Sequence, residues 1–376
     1  MNPKSSYRQI ERLLAHSPTG VSELRFAEHV AEQLVHNGPE EFGCAGAKVY
    51  DRRAARWQLR SAWGVFADAP HVELSLVDVA REDYPWVEHP YGAFAVGGAV
   101  VVLRFAGNGA ANEDRDRTAL LAAVQLGVKY HLRRSALEDQ LEQARAIQTS
   151  LLPAAPPHFG DYDVATAYVP AQSVGGDGYD FLPLAKSALG IVVLDAAGHG
   201  LPAALQARDA ITGIRMGVER ELRASSLVER LNRVIYQSGL SSRFVSLVFA
   251  ELDSDGSLGY VNAGHPPPLL LGPGGIEELT VGGPVLGPWP DSAYRVGFAH
   301  LDRGGSLALF SDGVLEHGTV RGEPFGPSRL RAWLEESRGR ESGAAVDDLL
   351  ARLREVGGVP FEDDVTVVLV RRPESR

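Results

Sequence analysis

Aspartates beside glycines and apolar runs are the residues of this 376-residue sequence best suited to chemistry, and they lie in its second half. Asp177 follows two glycines in VGGD, Asp195 ends the apolar run GIVVLD, and Asp312 follows the run LALF. Asp363 and Asp364 open the segment DDVTVVLV. Each acid stands where a strand is expected to begin or end. Carboxylates that are far apart in the sequence can therefore meet in space.

A group of carboxylates in one place would repel itself and raise its own pKa values unless a cation were bound. Mg²⁺ and Mn²⁺ prefer oxygen ligands and retain several water molecules. A single aspartate beside glycine is more simply explained as a turn residue, but four such sites in one region favour a divalent metal site. We expect the glycines before Asp177 to let the loop approach a metal-bound water, and Asp180 to be a structural acid.

Motifs for competing chemistries are absent from the sequence. There is no phosphate-binding G-x-x-x-x-G-K-[S/T] loop, no C-x-x-C pair, no H-E-x-x-H zinc motif and no G-x-S-x-G nucleophile elbow. Two histidines lie beside glycines, His199 in AGHG and His265 in NAGHPPP. Each could serve near the site or hold a turn, and the sequence leaves both roles open.

The overall composition excludes some partners. The formal net charge of −11 argues against nucleic acid, because phosphate backbones require a basic surface. Cys44 is the only cysteine, which rules out a disulfide within the chain, predicts a buried apolar thiol and favours a cytoplasmic protein. The N-terminal segment lacks a long apolar stretch, and the longest apolar runs are too short to cross a bilayer. We therefore predict neither a signal peptide nor a membrane partner.

A long helix is predicted over residues 115–152, which contain no proline. Part of it has the 4-3-4-3 spacing of a coiled-coil seam, formed by Leu137, Leu141, Ala144, Gln148 and Leu151. A seam of this kind predicts a homodimer, and the alternative is a long helix packed on its own domain. Residues 1–114 and 153–376 then form separate domains on either side of this linker.

The region after the linker has an α+β pattern. Strand-like runs recur from residue 163 to residue 372, and helical segments are predicted over roughly 201–216, 224–239 and 327–356. Strands outnumber helices, and some are joined by hairpin-like turns such as DSDG. This pattern favours a largely antiparallel sheet structure covered by helices.

Seven segments, taken in order, resemble the SpoIIE/RsbU branch of the PPM (protein phosphatase 2C-like) serine/threonine phosphatases. They are IQTSLLP, VGGDGYD, VLDAAGHG, FVSLVFAELD, NAGHPPPLLL, FSDGVLE and DDVTVVLV. Each is weak alone, but the ordered set across residues 140–372 is specific. The resemblance implies a C-terminal PPM-type β-sandwich flanked by helices, with two Mn²⁺ or Mg²⁺ ions at one end.

The same resemblance implies roles for individual residues. Asp195 would bridge both ions. Asp177 and the main-chain carbonyl of Ala196 would complete the site of one ion. Asp312 and Asp363 would complete the site of the other ion. The four aspartates among these are the predicted catalytic residues.

Three positions limit what the resemblance implies. Asp364 is the alternative to Asp363 as a metal ligand, because two adjacent acids leave the register open by one residue. Gly178 stands where many relatives have a bulky aromatic residue, so we expect a looser loop or open space beside the metals. Ala197 stands where more distant relatives carry a histidine that is proposed as a general acid, and we assign no such role to His199.

Residues 1–114 resemble a GAF-type sensor domain. The resemblance depends on the order of a helix, four strand-like runs (AGAKVYD, RWQLRSAWG, HVELSLVD and GAVVVLRF) and a long exit helix. One predicted helix has an apolar stripe of Phe26, Val30 and Leu34. A PAS-like sensor is the alternative, and no residue identifies a ligand.

Together, the residue patterns and these resemblances imply a cytoplasmic, dimeric, metal-dependent phosphoserine/phosphothreonine protein phosphatase that is regulated by its sensor domain. A water activated by two metal ions would attack the phosphoryl group. The expected substrate is a phosphorylated STAS-type anti-sigma-factor antagonist in stress-response signal transduction. The alternatives are a degenerate phosphatase that acts as a regulatory binding module, and a nucleotidyl cyclase, for which we find no purine-binding residues.

Overall fold

The structure, a computed structural model, divides into two compact units, Met1–Gln140 and Leu141–Arg376. The residues that it describes are 22–36, 44–53, 56–64, 85–88, 90–106, 111–185, 187–219, 223–238 and 244–374. The boundary between the units falls within the predicted linker.

The first unit contains an antiparallel sheet of five strands in the order β2-β1-β5-β4-β3. Its described elements are α1 (Glu23–His36), β1 (Cys44–Arg53), β2 (Arg56–Gly64), β3 (Trp86–Glu88), β4 (Tyr91–Val96) and β5 (Ala99–Phe105). The predicted stripe of Phe26, Val30 and Leu34 is buried in the core with strand residues such as Val101. The predicted strand HVELSLVD lies outside the described residues. The GAF-type or PAS-like identity of this unit stays a prediction.

A single helix, α2 (Ala111–Thr149), connects the two units along the chain, close to the predicted bounds of 115–152. Leu121, Val124 and Val128 are buried in the core of the first unit. Leu126 and Leu137, in contrast, are 70% and 57% exposed. The helix therefore packs on its own unit along one side of its first half and leaves large apolar side chains uncovered elsewhere.

Two antiparallel sheets form the centre of the second unit, in the orders β13-β10-β9-β8-β7, with β14 beside β10, and β12-β11-β15-β16-β6. Within the first sheet, the short β13 pairs with β10 in parallel. The strands are β6 (Asp163–Val169), β7 (Asp177–Ala185), β8 (Ala188–Ala196), β9 (Val245–Asp253), β10 (Ser257–Ala263), β11 (Leu269–Gly272), β12 (Gly275–Glu278), β13 (Gly282–Gly283), β14 (Gly297–His300), β15 (Ser306–Phe310) and β16 (Val365–Arg371).

Helices cover the outer faces of both sheets. They are α3 (Leu201–Val218), α4 (Ala224–Gln237), α5 (Asp312–Glu316), α6 (Gly326–Glu336) and α7 (Ser342–Gly357). Strand β8 shows how the layers form, since its side chains alternate between its two faces. Ile191 and Val193 pack between the sheets, whereas Val192 and Leu194 pack against α3 and α4. The expected β-sandwich flanked by helices is therefore present.

One predicted helix is wrong in its extent. The sequence predicts one continuous helical segment over roughly 327–356, but the structure forms α6 and α7, separated by residues 337–341. The Arg371 guanidinium donates hydrogen bonds to the carbonyls of Ser337 and Arg340, and Gly339 between them has a φ of 75°. The buried Arg371 side chain from β16 thus satisfies the Ser337 carbonyl that the end of α6 leaves free and a carbonyl of the turn before α7, and this partner is invisible in the local sequence.

The strand register brings the predicted acids to one end of the sandwich. Asp177 and Asp195 are directly opposite each other on β7 and β8. In the other sheet, the end of β15 lies beside the start of β16, where Phe310 pairs with Val367. The residues just beyond these strand ends include Asp312, Asp363 and Asp364, so five carboxylates gather at one edge.

Across the described ranges, no helix combines the length and apolar character needed to cross a membrane.

Candidate active site

A cleft of about 440 Å³ opens where these strand ends meet. The predicted residues Asp195, Asp312, Asp363 and Asp364 all line it. Asp177 lies beneath the cleft and is only 2% exposed. The other lining residues are Ala171, Gln172, Val174, Ala197, Gly198, His199, Phe244 and Glu362. None of these described lining residues is a lysine or arginine, and four aspartates with Glu362 make the described lining acidic.

Asp177 is held by a buried hydroxyl. Thr366 Oγ1 donates a hydrogen bond of 2.6 Å to Asp177 Oδ2, and Thr366 is fully buried. The Ser311 hydroxyl in turn accepts the Thr366 N–H at 3.0 Å and donates to the Asp364 carbonyl at 3.1 Å. The orientation of the Asp177 carboxylate is therefore fixed by residues at the ends of β15 and β16.

Burial and mutual repulsion make these carboxylates hard to ionise together. Burial, followed by the Asp195 carboxylate, raises the pKa of Asp177 well above its ordinary value. Burial, followed by the Asp312 and Asp363 carboxylates, raises the pKa of Asp195 to about 7. Burial, followed by Asp363, raises the pKa of Asp312 to about 6. The arrangement thus disfavours negative charge in the absence of a cation.

The two adjacent acids, which the sequence could not distinguish, have different surroundings. Both carboxylate oxygens of Asp364 accept backbone hydrogen bonds, from the Ala171 N–H at 2.8 Å and from the Gly176 N–H at 2.6 Å. Asp364 is 7% exposed. Asp363 is exposed, and among the described residues its carboxylate accepts only the N–H of Asp364, at 2.8 Å. Asp364 therefore fastens the loop before Asp177, whereas Asp363 keeps oxygen atoms available to a ligand.

The glycines before Asp177 make room for protein groups. A Cβ built on Gly175 would collide with the Asp364 carboxylate, and one on Gly176 would lie 2.6 Å from the Ala196 carbonyl oxygen. Gly176 O also accepts the Ala196 N–H at 3.0 Å. Side chains at either position would push apart the elements that carry the acids. Close packing against Asp364 and Ala196 therefore requires glycine at both positions, which the sequence alone did not reveal.

Gly178 has no open space beside it, contrary to the expectation. A Cβ at this position would lie 2.8 Å from Cδ1 of Ile211 and 3.3 Å from Cδ1 of Leu194. Ile211 belongs to α3 and packs against the sheet from outside. The volume that an aromatic residue would need is therefore occupied by the helix layer, and no gap opens beside the acids.

The two histidines that were left open now differ in role. His265 is 4% exposed, and its ring Nδ1 lies 2.7 Å from Ser246 Oγ. Its backbone N–H donates to Asn262 Oδ1 at 2.9 Å. Burial lowers the pKa of His265 to about 4, so it is a neutral structural residue. His199 is exposed in the cleft, with its Nδ1 3.3 Å from Gln172 Nε2.

Two glutamates at the site were missed. Glu362 lines the cleft, and Glu316 is close enough to raise the pKa values of Asp195 and Asp312. Glu362 directly precedes the predicted pair of acids, and Glu316 follows Asp312 by one helical turn. The i, i+4 spacing in FSDGVLE could have identified Glu316, because such residues share a helix face.

The donor set fits hard divalent cations. Every predicted side-chain ligand is a carboxylate, which suits Mg²⁺ and Mn²⁺ and does not suit soft metals. Within the described residues, no group of three or more His, Cys, Asp or Glu side chains is arranged so that it could hold a metal ion by itself. Mg²⁺ commonly uses only one or two carboxylates and completes its shell with water. The acidic cleft is compatible with that mode of binding.

Exchanging each adjacent acid for asparagine should affect stability in opposite directions. Asp364→Asn places an amide N–H₂ against a backbone N–H, which should lower the free energy of unfolding by about 1–3 kcal/mol. Asp363→Asn keeps the acceptor for the Asp364 N–H. Partial desolvation of its carboxylate in the cleft raises the pKa of Asp363, so the folded wild-type protein loses stability as the pH rises through that pKa.

In metal-free buffer at pH 8, Asp363→Asn should therefore be as stable as the wild type or more stable. Urea denaturation of both variants beside the wild type tests the pair. Equal losses of stability in the two variants would contradict the division of roles between Asp363 and Asp364.

Comparison with known sequences identifies relatives of the second unit. A family model described as stage II sporulation protein E (SpoIIE) matches residues 185–373. The phosphoserine phosphatase RsbU of Bacillus subtilis is 29% identical over 239 residues, which cover 63% of this chain and 71% of RsbU. The phosphoserine phosphatase RsbP of the same organism is 28% identical over 184 residues, 47% of this chain and 45% of RsbP. The chain therefore spans less than half of RsbP.

Solved structures give a consistent fold. The SiaA-PP2C domain of Pseudomonas aeruginosa superposes with a TM-score of 0.56 at 24% identity, over 64% of this chain and 98% of that domain. A structure of RsbU and RsbW domains from Mycobacterium tuberculosis gives a TM-score of 0.50 at 26% identity, over 60% of this chain and 64% of that chain. The resemblance of the seven segments to SpoIIE/RsbU-type phosphatases is confirmed, because the match to the SpoIIE family model covers half of the sequence. The chain belongs to the SpoIIE family.

Proposed function

We propose that this chain is a metal-dependent phosphoserine/phosphothreonine protein phosphatase. The observation that carries the proposal is the convergence of Asp195, Asp312 and Asp363 on one cleft, with Asp177 directly opposite Asp195 on the neighbouring strand. Such an acidic cleft is unsuited to a phosphate group unless cations are present, since both would be negative. Divalent cations resolve this conflict and suit the carboxylate donors.

The residues assigned to the ions follow the family pattern. Asp195 would bridge two Mn²⁺ or Mg²⁺ ions, with Asp177 and the Ala196 carbonyl on one and Asp312 on the other. Asp363 is the preferred remaining ligand, because both oxygens of Asp364 already accept backbone N–H groups. When bound, the ions would supply Lewis acidity that activates water and offsets phosphoryl charge.

The chain itself contributes orientation. Thr366 aims the Asp177 carboxylate, and Asp364 fixes the glycine loop from which Asp177 emerges.

Cys44 is fully buried in the core of the first unit. No cysteine lines the described cleft, so direct attack by water is favoured over a phosphocysteine intermediate.

The proposed substrate is a phosphorylated STAS-type anti-sigma-factor antagonist in the cytoplasm. Support comes from similarity to RsbU, which is named a phosphoserine phosphatase, and to a solved protein that joins RsbU and RsbW domains. The acidic cleft supports a phosphorylated protein over nucleic acid, because a long polyanion would meet repulsion there.

We further propose that α2 forms a homodimer and transmits a signal from the N-terminal sensor. Leu126, Tyr130 and Leu137 are large, apolar and more than half exposed on this helix. At its end, Gln148 Nε2 donates to the Gly175 carbonyl at 2.5 Å, and the Gly175 N–H donates to Gln148 Oε1 at 3.2 Å. Movement of the last helical turn would thus pull directly on the glycine loop before Asp177.

Replacing the proposed bridging residue should abolish turnover. With Mn²⁺, the wild type should hydrolyse p-nitrophenyl phosphate, and Asp195→Asn should lower the rate by at least about 100-fold, since even outer-shell changes cost 10–100-fold. EDTA should stop the wild-type reaction. The exposed Asp291 provides a matched control, because Asp291→Asn makes the same chemical change away from the cleft. A wild type that binds a phosphoprotein without turnover would instead support the binding-module alternative.

Removing the hydroxyl that aims Asp177 should weaken metal binding. Thr366→Val keeps the shape of the buried side chain but loses the hydrogen bond, so the Mn²⁺ concentration for half-maximal activity should rise by about 10–100-fold. Thr366→Ser should restore it. Metal-induced change in melting temperature provides a second readout. An unchanged Mn²⁺ requirement in Thr366→Val would reduce Thr366 to a packing residue.

Breaking α2 should separate sensing from catalysis. Leu141→Pro disrupts the helix at a cost of ~3 kcal/mol or more, whereas Leu141→Ala shortens the side chain and keeps a helix-forming residue. We expect dimers to weaken in both variants and regulation of activity to be lost in Leu141→Pro. Sedimentation and phosphatase assays of the full chain measure the two effects. Normal regulation in Leu141→Pro would refute the role of the linker.

A further inference from the structure

An apolar groove lies between helices α3 and α4, outside the acidic cleft. Its cavity is about 410 Å³, and the lining residues used below are Leu201, Leu205, Gln206, Leu231 and Val234. Leu201 and Leu205 are 42% and 49% exposed, and Val234 is 60% exposed. Leu231 forms part of the buried floor. Three neighbouring apolar side chains thus remain open to solvent around a concave surface, as at binding sites.

A buried amide without partners lies in this groove. Gln206 is only 5% exposed, yet neither its Nε2 nor its Oε1 has a hydrogen-bond partner among the described residues. Burial of an unpaired amide is costly, and most buried polar side chains are therefore bonded. Both amide atoms are closed to solvent in this structure, so a shift of the Gln206 side chain toward the groove would offer its acceptor and donor to the N–H and carbonyl of a peptide group.

The groove adjoins the acidic cleft along the chain. His199 lines the cleft, and Leu201, two residues later, lines the groove and begins α3. The described lining of the cleft contains no lysine or arginine to attract a phosphoprotein. Among the described residues, contacts that could add affinity for a protein substrate therefore lie outside the cleft, and the groove is within reach of a segment whose phosphoserine occupies it.

We propose that the α3–α4 groove docks the phosphoprotein substrate, by receiving an apolar side chain near the phosphorylated residue while Gln206 bonds the adjoining peptide group. The inference rests on the proposed phosphatase function and adds a recognition site to it.

The geometry favours the substrate over the linker helix as the occupant. The end of α2 is anchored at the far end of α3, where Arg215 Nη2 donates to the Leu151 carbonyl at 2.7 Å. Leu201 and Arg215 are separated by about 21 Å along the helix axis, at ~1.5 Å per residue. The groove lies at the cleft end of α3, where the last turn of α2 also reaches Gly175, but neither Gln148 nor Leu151 lines the groove.

Kinetics with a small and a large substrate provide the first test. We would assay Val234→Asp and Gln206→Leu with p-nitrophenyl phosphate and with a serine-phosphorylated STAS-domain protein, using Phe298→Asp as control because Phe298 is 82% exposed elsewhere. The ratio of kcat/KM for the phosphoprotein to that for the small ester should fall about tenfold in both groove variants, mainly through KM. The control should match the wild type. Gln206→Leu should melt no lower than the wild type, since it removes an unpaired amide.

Site-directed crosslinking provides a second test that does not depend on turnover. Burial raises the pKa of Cys44, the sole native cysteine, to about 11, so it should resist labelling. Val234→Cys in an Asp195→Asn background can carry a benzophenone maleimide. It should crosslink to the phosphoprotein, whereas a label on Phe298→Cys should not.

Each outcome has a distinct meaning. A wild type that hydrolyses neither substrate with Mn²⁺ would refute the proposed phosphatase function itself. Docking would be refuted if the groove variants hydrolysed the small ester and kept the wild-type ratio of kcat/KM between the two substrates. It would also be refuted if the wild type hydrolysed the small ester but neither turned over the phosphoprotein nor allowed it to be crosslinked. Equal losses on both substrates would make the groove a structural support of the cleft. Crosslinking to a second copy of the chain would assign it to self-association.

Discussion

Repulsion among carboxylates at one end of the sandwich is the constraint on which the rest of the second unit depends. Asp177 and Asp195 are directly opposed on neighbouring strands, and Asp312 and Asp363 lie near them. A flexible chain would let these groups separate. The two sheets, the buried Thr366 hydroxyl and the backbone bonds to Asp364 hold them together. Stability from the apolar layers thus offsets an arrangement that is unfavourable without cations.

Much of this site could be predicted from the sequence because strand ends are recognisable. Apolar runs fix where β8, β15 and β16 end, and the acids adjoin those ends. Successive residues of an extended chain point to opposite sides. The sequence therefore could not separate the roles of Asp363 and Asp364, because the register that decides which of them faces the site was open by one residue. The two residues that donate to the Asp364 carboxylate, Ala171 and Gly176, are nearly two hundred residues away in the sequence. The split between α6 and α7 was missed for the same reason, since Arg371 comes from another strand.

The same physical logic connects the cleft to its surroundings. Gly175 leaves room for the Asp364 carboxylate, and the backbone of Gly175 also pairs with the Gln148 side-chain amide. The short loop that contains Gly175 therefore contacts Asp364, next to the proposed metal ligands, on one side and the end of α2 on the other. On the opposite flank, α3 begins directly after the cleft and forms one wall of the apolar groove. Catalytic, regulatory and recognition surfaces can share a few residues in this way.

The tight contact between Gly178 and α3 has an evolutionary consequence. Ile211 occupies the volume next to Gly178, so the two positions share one fixed space between the sheet and the helix. A large residue at position 178 requires a smaller one at position 211 or a displaced helix, because protein interiors are closely packed. Residue size at these two positions should therefore covary across the family. Branches with an aromatic residue in the strand would place α3, and the groove it borders, differently.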